Sequence, residues 1–220
     1  MAAAQDLYRS ITRYLSETFV IPAVKREASS VAQRNNLFML AEQVIAYGVE
    51  GDLVEFGCHD GSTAVPIAMA LQQHGSRRVL HLYDDFRFDP KETGRVREAL
   101  ERRFSEAEVP LPTIHEGEIL NALHDELPER IAYAHIDLGF EEEPRQVARM
   151  VRRCLDAIYP RMSPGAVCVL NDHHDPQITV KGWDCSPGVK MATDRFLFDK
   201  PEKVNVLFGE EYSHAFFRKV

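Results

Sequence analysis

One short stretch constrains the fold of this chain more than any other: residues Leu53 to Ser62, with the sequence LVEFGCHDGS. An apolar run, Leu53–Phe56, leads into a turn with a glycine at each end, and the amphipathic segment Thr63–Gln73 follows directly. This order predicts a strand, a tight turn and a helix. Glycine permits positive φ and close approach of a ligand, and a helix start offers unpaired N–H groups. The stretch therefore predicts either a nucleotide-type binding turn or a plain strand-to-helix turn without a ligand.

The rest of the chain alternates between strand-like and helix-like segments. The predicted strands are Leu53–Phe56, Val79–Tyr83, Thr113–His115, Ile131–Ile136, Ala166–Leu170, Lys203–Phe208 and Ser213–Lys219. The predicted helices between them are Thr63–Gln73, Thr93–Phe104, Ile119–Leu127, Pro144–Ile158 and Val189–Phe198. Such alternation predicts an α/β fold, with right-handed crossovers and a mostly parallel sheet that has helices on both faces. A turn at 163–165 is expected to introduce the fifth strand, and the last two strands are close enough to form an antiparallel hairpin.

Two helical segments precede this pattern. Residues 5–21 carry apolar side chains at helical spacing and stop near Pro22, and Val31–Tyr47 ends at Gly48. We therefore expect residues 1–50 to form N-terminal helices that cap the site or contact a second copy, and residues 51–220 to form the ligand-binding domain. The Met and Phe residues on helices are expected in the core: Phe38, Met39, Met69, Phe196 and Phe198.

Charge and composition narrow the class of ligand. The net charge is −8 and is spread along the chain, so no broad basic surface for nucleic acid is expected. No window approaches eighteen apolar residues, and the first residues lack the pattern of a signal peptide. The four cysteines are far apart and are expected to be reduced thiols. A small-molecule ligand, a cytoplasmic location and no membrane segment are the resulting predictions.

The residues that end the predicted strands are mostly acidic. Ligands of open parallel sheets bind beyond the carboxyl ends of the strands. Asp84 or Asp85, after the second strand, is placed to accept hydrogen bonds from a ribose diol, or else to cap a turn. Glu116 and Glu118 follow the third strand, on either side of Gly117, and are expected either to flank an adenine or to be solvated charges.

A second polar cluster follows the fourth and fifth strands. Neighbouring strand ends lie about 4.8 Å apart, so Asp137, Asn171 and Asp172 are expected to converge on one hard cation, or else to cap loops. Oxygen ligands favour magnesium, with calcium or manganese next. His173 and His174 stand beside them, and either is a candidate general base or substrate contact. Trp183, Tyr212 and Phe216 are candidates for the wall of a substrate pocket.

These motifs together resemble the macrocin O-methyltransferase family, whose members use S-adenosylmethionine to methylate sugar hydroxyls of macrolides and related natural products. The likeness runs from about residue 35 to the C terminus and is carried by five motifs in order. They are GDLVEFG at 51–57, YDDF at 83–86, HID at 135–137, SPG at 163–165 and LND at 170–172.

The resemblance implies a Rossmann-like methyltransferase fold with seven strands and a terminal antiparallel hairpin. It places magnesium ligands on Asp137, Asn171 and Asp172, and a candidate base on Asp137. The histidines His173 and His174 remain further candidates for the base. The residues expected to bind S-adenosylmethionine are Glu55, Phe56, Gly57, His59, Gly61, Ser62, Asp84, Asp85, Glu116, Gly117 and Asp137.

Two departures from the family stand out. The usual pair of aspartates after the fifth strand is Asn171-Asp172 here, and the usual Asp-x-Asp-x-Tyr after the fourth strand lacks its second Asp and its Tyr. Lower magnesium affinity and an acceptor other than a macrolide sugar are expected. The predicted function is a small-molecule O-methyltransferase, and some self-association is expected. The alternatives are a non-methylating S-adenosylmethionine enzyme, a nicotinamide dehydrogenase and a non-catalytic binding subunit.

Overall fold

A computed structural model of the protein describes residues 29–89, 94–139, 143–178, 184–210 and 213–220. The predicted helix at 5–21 lies outside these residues, as do Trp183 and Tyr212. The helices are α1 Val31–Ala46, α2 Ala64–Gln73, α3 Val96–Glu106, α4 Ile119–Asp125, α5 Pro144–Ile158 and α6 Pro187–Leu197. The strands are β1 Asp52–Phe56, β2 Leu80–Asp84, β3 Thr113–Glu116, β4 Ile131–Ile136, β5 Met162–Asn171, β6 Asn205–Leu207 and β7 His214–Arg218.

The strands form one seven-stranded sheet in the order β3-β2-β1-β4-β5-β7-β6. Strands β1 to β5 are all parallel to one another, whereas β7 runs antiparallel to both β5 and β6. This confirms the predicted α/β class, the mostly parallel sheet and the terminal hairpin. Because the order reverses between β1 and β4, the carboxyl ends of β1, β2, β4 and β5 border one crevice at that edge.

Helices cover both faces of the sheet, as the pattern predicted. Successive side chains of β7 point to opposite faces of the sheet, and each contacts a helix on its own side. The Arg218 guanidinium donates to the Gln43 side chain of α1, at 2.9 Å. The ring of Phe217 instead lies 6.5 Å from that of Tyr159, which packs edge-on against Phe196 of α6. Helix α1 also packs on α2, and α5 packs on α6.

Two sequence-based expectations about local structure are wrong. The 163–165 segment does not precede the fifth strand but lies within β5, because the backbone there is paired to the end of the chain: Gly165 N–H donates to Lys219 O and Lys219 N–H to Ala166 O. Two of the expected core side chains are on the surface, Met39 and Phe198, the latter 92% exposed. The helical spacing of apolar residues alone does not show that each of them is buried. All four cysteines are free, as expected.

In the part of the chain that the structure describes, no helix has the length and apolar character needed to cross a membrane.

A buried carboxylate joins the C terminus to the end of α5. Glu202 accepts hydrogen bonds from the Tyr159 hydroxyl at 2.9 Å and from Val220 N–H at 3.1 Å, and the Lys219 ammonium lies 3.6 Å away. Burial opposes ionisation, but these hydrogen bonds and the nearby ammonium outweigh it, so the pKa of Glu202 is lowered.

We expect Glu202→Gln to lower the free energy of unfolding by about 1–3 kcal/mol at pH 7, because hydrogen bonds to a charged acceptor are lost. A lowered folded-state pKa stabilises the fold above the unfolded value of about 4.3, and that contribution disappears as the pH falls through the folded pKa. Urea unfolding at pH 7 and at about pH 3 measures the stability lost in Glu202→Gln and its dependence on pH. The exposed Glu106→Gln is the control. An equal loss at the two pH values would contradict the charged role of Glu202.

Candidate active site

The turn after β1 is held at the centre of the crevice by close backbone contacts. Gly57 has φ +84°, and a Cβ at this position would lie 1.8 Å from the carbonyl oxygen of Asp137. Asp137 N–H donates to Phe56 O, and Gly57 N–H to Tyr83 O, both at 2.9 Å. Glycine is therefore required where the ends of β1 and β4 meet, which confirms the tight glycine turn predicted from the sequence.

Asp84, at the end of β2, is bound directly to this turn. Its two carboxylate oxygens accept hydrogen bonds from the backbone N–H groups of His59 and Phe86, each at 2.7 Å. His59 has φ +42°, an uncommon conformation for a residue with a side chain. Burial raises the pKa of Asp84. Asp85 is half-buried and accepts from Arg87 N–H. Of the two predicted aspartates, Asp84 is therefore the one that faces the turn.

Arg103 of α3 is a site residue that the sequence did not reveal. Its guanidinium donates to the Asp60 carboxylate at 2.8 Å and to the Asp60 carbonyl at 3.1 Å. Burial opposes ionisation of Asp60, but Arg103 outweighs it and lowers the pKa of that carboxyl. Asp60 in turn accepts from Ser62 N–H. Only the spatial neighbour of Arg103, 43 residues earlier in the sequence, shows that this side chain fixes the turn.

A buried carboxyl–imidazole pair lies beneath the turn. Glu55 of β1 and His135 of β4 are directly opposite in the sheet, and their side chains bond at 2.7 Å with at most 1% exposed. Burial alone would lower the pKa of His135, but the hydrogen bond that its ring makes to the Glu55 carboxylate raises it. The second oxygen of Glu55 has no hydrogen-bond partner in the described structure. Because Glu55 is fully buried, its predicted contact with a cofactor stays a prediction.

Asp137, Asn171 and Asp172 converge at the ends of β4 and β5, as predicted. Asn171 Nδ2 lies 2.8 Å from Asp137 Oδ1 and 3.3 Å from Asp172 Oδ1. Burial, followed by the charge of Asp172, raises the pKa of Asp137 to about 7. Burial also raises the pKa of Asp172. A carboxyl with this pKa can both accept and release a proton near neutral pH.

The predicted magnesium ligands do not fit a cation in this arrangement. The Asn171 amide faces both carboxylates with its N–H donors, while its oxygen accepts from Gln33 Nε2 at 2.9 Å. Magnesium requires oxygen ligands. Among the described residues, no three His, Cys, Asp or Glu side chains are grouped so that they could hold a metal. A carboxylate at position 139, where the resembling family has its second aspartate, is excluded by space: a Cβ there would lie 2.4 Å from Val147 Cγ2.

The two predicted histidines are both buried. His174 Nδ1 lies 2.8 Å from Ser213 Oγ. His173 is 1% exposed, and neither ring nitrogen has a hydrogen-bond partner within the described residues. Burial lowers the pKa of His173, and the nearby Lys190 adds to this. His174 is therefore held through Ser213 at the start of the last strand, and the role of either histidine as a base stays a prediction.

The remaining predicted residues lie around the turn and along the next strand. Phe56 is buried on the opposite face from Glu55 and stacks on Tyr83, with ring centroids 4.9 Å apart. Gly61 has φ +79° and Ser62 is buried. Glu116 is exposed and forms an ion pair with Arg97, and its predicted contact with adenine stays a prediction. Gly117, with φ +147°, donates its N–H to Asp84 O at 3.0 Å.

The topology, the glycine turn and the acidic carboxyl edge define a Rossmann-like methyltransferase fold. A family model described as "Methyltransferase domain" matches residues 54–173, more than half of the chain. The protein therefore belongs to this methyltransferase-domain family. None of the proteins with curated functions matches the chain significantly.

Solved structures share this fold at low sequence identity. The O-methyltransferase NovP is 19% identical, over 86% of this chain and 80% of NovP, with a TM-score of 0.66. TomG of Streptomyces achromogenes, an O-methyltransferase involved in tomaymycin synthesis and solved in complex with S-adenosylmethionine, is 17% identical over 93% and 85%, with a TM-score of 0.60. A putative O-methyltransferase from Klebsiella pneumoniae is 14% identical over 96% of each chain, with a TM-score of 0.59.

Proposed function

We propose that this protein transfers the methyl group of S-adenosylmethionine to a hydroxyl oxygen of a small molecule. The observation that carries the proposal is the convergence of three features on one crevice: the Gly57 turn, the buried Asp84 carboxylate and Asp137. They stand at the ends of neighbouring strands β1, β2 and β4. Membership of the methyltransferase-domain family supports this proposal, as does the shared fold with NovP and TomG.

The crevice has the features that this cofactor needs. The turn from Gly57 to Ser62 leads into α2, whose first N–H groups and the turn backbone suit the amino-acid part. The carboxylate of Asp84, at the adjacent strand end, suits the ribose hydroxyls. Arg103 holds the turn through Asp60 at 2.8 Å, so the backbone donors are fixed before the cofactor binds.

Asp137 is the proposed base. When bound, S-adenosylmethionine supplies an electrophilic methyl group on a positively charged sulfur. Asp137 accepts the proton of the acceptor hydroxyl as the oxygen bonds to the methyl carbon and S-adenosylhomocysteine leaves. Catalysis then rests on alignment of the hydroxyl and on proton transfer. Magnesium, which the resemblance implied, is not part of this proposal, because Asn171 presents N–H donors and not an oxygen to the two carboxylates.

The acceptor class is proposed from the resemblance and from one neighbour. The macrocin-type motifs and the role of TomG in tomaymycin synthesis both favour a hydroxyl of a natural product. The missing second Asp and Tyr of the Asp-x-Asp-x-Tyr motif favour an acceptor other than a macrolide sugar. The net charge of −8 supports a small-molecule partner over nucleic acid. A cytoplasmic location and self-association through residues 1–50 belong to the same proposal.

Titration calorimetry of the full chain with S-adenosylhomocysteine tests the cofactor site. We expect Asp84→Ala to weaken binding at least tenfold, because the ribose loses its acceptor and the N–H groups of His59 and Phe86 lose theirs. The control is the neighbouring Asp85→Ala, expected to stay within threefold of the unsubstituted protein. No binding by the unsubstituted protein at high micromolar ligand would overturn the proposed function. Turnover of an acceptor without formation of S-adenosylhomocysteine would favour the non-methylating alternative.

A further inference from the structure

A chain of directional hydrogen bonds sets the orientation of Asn171. It starts at the first turn of α1, where Ser30 N–H donates to Gln33 Oε1 at 2.8 Å and Gln33 N–H donates to Ser30 Oγ at 3.0 Å. A backbone N–H can only donate, so the side-chain atom of Gln33 that faces it must be the oxygen. The other end of the Gln33 amide, Nε2, is therefore a donor. Gln33 is 2% exposed, so water does not compete for this arrangement.

The donor end of Gln33 determines which end of Asn171 faces the carboxylates. Gln33 Nε2 requires an acceptor, so the side-chain oxygen of Asn171 is turned toward it. The distance from Gln33 Nε2 to Asn171 Oδ1 is 2.9 Å. The Nδ2 group of Asn171 is consequently directed to Asp137 at 2.8 Å and to Asp172 at 3.3 Å. Each hydrogen bond thus fixes the polarity of the next one, from the helix cap to the two carboxylates.

Reversing the Asn171 amide would break this chain at both ends. Its Nδ2 group would then face Gln33 Nε2, donor against donor, and its oxygen would face two carboxylates. A divalent cation bound by Asp137, Asn171 and Asp172 requires this reversal, because only oxygen atoms ligate magnesium. In the described arrangement the amide N–H groups themselves offset the repulsion between the two carboxylates.

We propose that Gln33 is a positioning residue that holds Asn171 as a hydrogen-bond donor, and that Asp137 and Asp172 therefore act without a divalent cation. This inference rests on the proposed function, in which Asp137 accepts the proton of the acceptor hydroxyl. It also gives Asn171 a role in place of the aspartate that the resembling family has at this position: a neutral amide keeps the two remaining carboxylates together.

Manganese titration of the full chain, followed by calorimetry and by the electron paramagnetic resonance of free Mn²⁺, tests the inference without any turnover. The unsubstituted protein is expected to show no saturable site below about 1 mM Mn²⁺. Gln33→Glu replaces the donor with an acceptor, which turns Asn171 around and offers its oxygen to a cation. We expect this variant to bind Mn²⁺ at least tenfold more tightly. Gln43→Glu is the matched control, because it adds the same charge on the same helix beside Arg218 and should leave Mn²⁺ binding unchanged.

Gln33→Leu separates orientation from charge. It removes the donor without adding a carboxylate, so Asn171 is free to reverse and Mn²⁺ binding should still become severalfold tighter. A purely structural role of Gln33 would leave both variants without a saturable Mn²⁺ site, and that result would overturn the inference. A circular dichroism spectrum equal to that of the unsubstituted protein shows that each variant has kept its fold.

The outcomes distinguish this inference from the proposed function. Saturable binding of Mn²⁺ to the unsubstituted protein below about 1 mM would overturn the inference and leave the methyltransferase proposal intact. Failure to bind S-adenosylhomocysteine would overturn the proposed function, while the Mn²⁺ titrations would still decide the role of Gln33.

Discussion

Gly57→Ala is expected to yield no folded protein. The added methyl group would lie 1.8 Å from the carbonyl oxygen of Asp137, which is main chain and cannot rotate away. The φ of +84° adds a penalty of roughly 1–2 kcal/mol for any residue with a Cβ. Relieving the clash requires the ends of β1 and β4 to separate at the centre of the sheet. The combined loss is expected to exceed about 4 kcal/mol, comparable with the whole stability of a small domain of about 5–15 kcal/mol.

Gly75→Ala is the matched control for this prediction. Gly75 also has positive φ, +55°, but a Cβ there meets nothing within 4 Å. It should therefore show only the backbone penalty of about 1–2 kcal/mol. Soluble yield and urea unfolding followed by circular dichroism compare the two variants. If Gly57→Ala unfolds within about 1 kcal/mol of Gly75→Ala, the described contact between the strand ends is wrong.

Asp137→Asn is expected to lower turnover by about 10²–10⁴-fold while leaving the affinity for S-adenosylhomocysteine within about fivefold. An amide is nearly the same shape as a carboxylate, and its oxygen can still accept the hydrogen bond from Asn171 Nδ2. It has no basicity at neutral pH, so it cannot take the proton of an acceptor hydroxyl. The separation of turnover from binding is the signature of a base.

The measurement uses an acceptor that the unsubstituted protein methylates, found among phenols, catechols and sugar alcohols, with S-adenosylhomocysteine quantified by mass spectrometry. Asp156→Asn, the same change at an exposed carboxylate of α5, is the control and should be neutral. Turnover of Asp137→Asn within fivefold of the unsubstituted protein would remove Asp137 as the base. His173 and His174 would then be the next residues to substitute.

The fold could be predicted because its signals are local. Strand-like and helix-like segments alternate along the chain, and the short connection between the last two strands leaves only an antiparallel pairing. The strand ends that border the crevice follow from this topology, so Asp84, Asp137 and Asn171 could be placed at one edge of the sheet in advance. The start of β5 could not be predicted, because pairing with residues near Lys219 extends this strand through Pro164 and Gly165.

The side-chain network at the site could not be predicted from the sequence. Arg103 reaches Asp60 across 43 residues, and Gln33 reaches Asn171 across 138. Neither spacing leaves a periodic pattern, and each residue type is common on exposed helix faces. The choice between Asp84 and Asp85 likewise depended on which carboxylate meets His59 N–H in space. The polar residues at the strand ends could therefore be predicted as a group, whereas the hydrogen bonds that orient their side chains could not.

The attachment of α1 to the last strands has a consequence for synthesis of the chain. Asn36 Nδ2 donates to Phe208 O at 2.8 Å and lies 2.9 Å from His214 Nε2, and Ser30 Oγ donates to Gly209 O at 2.9 Å. These contacts join residues up to 179 positions apart. The helix that orients Asn171 through Gln33 can therefore form these contacts only after residues 208–214 have been synthesised. The acceptor side of the crevice can be completed only after that, whereas the residues of β2 and β4 that the turn at Gly57 contacts are synthesised earlier.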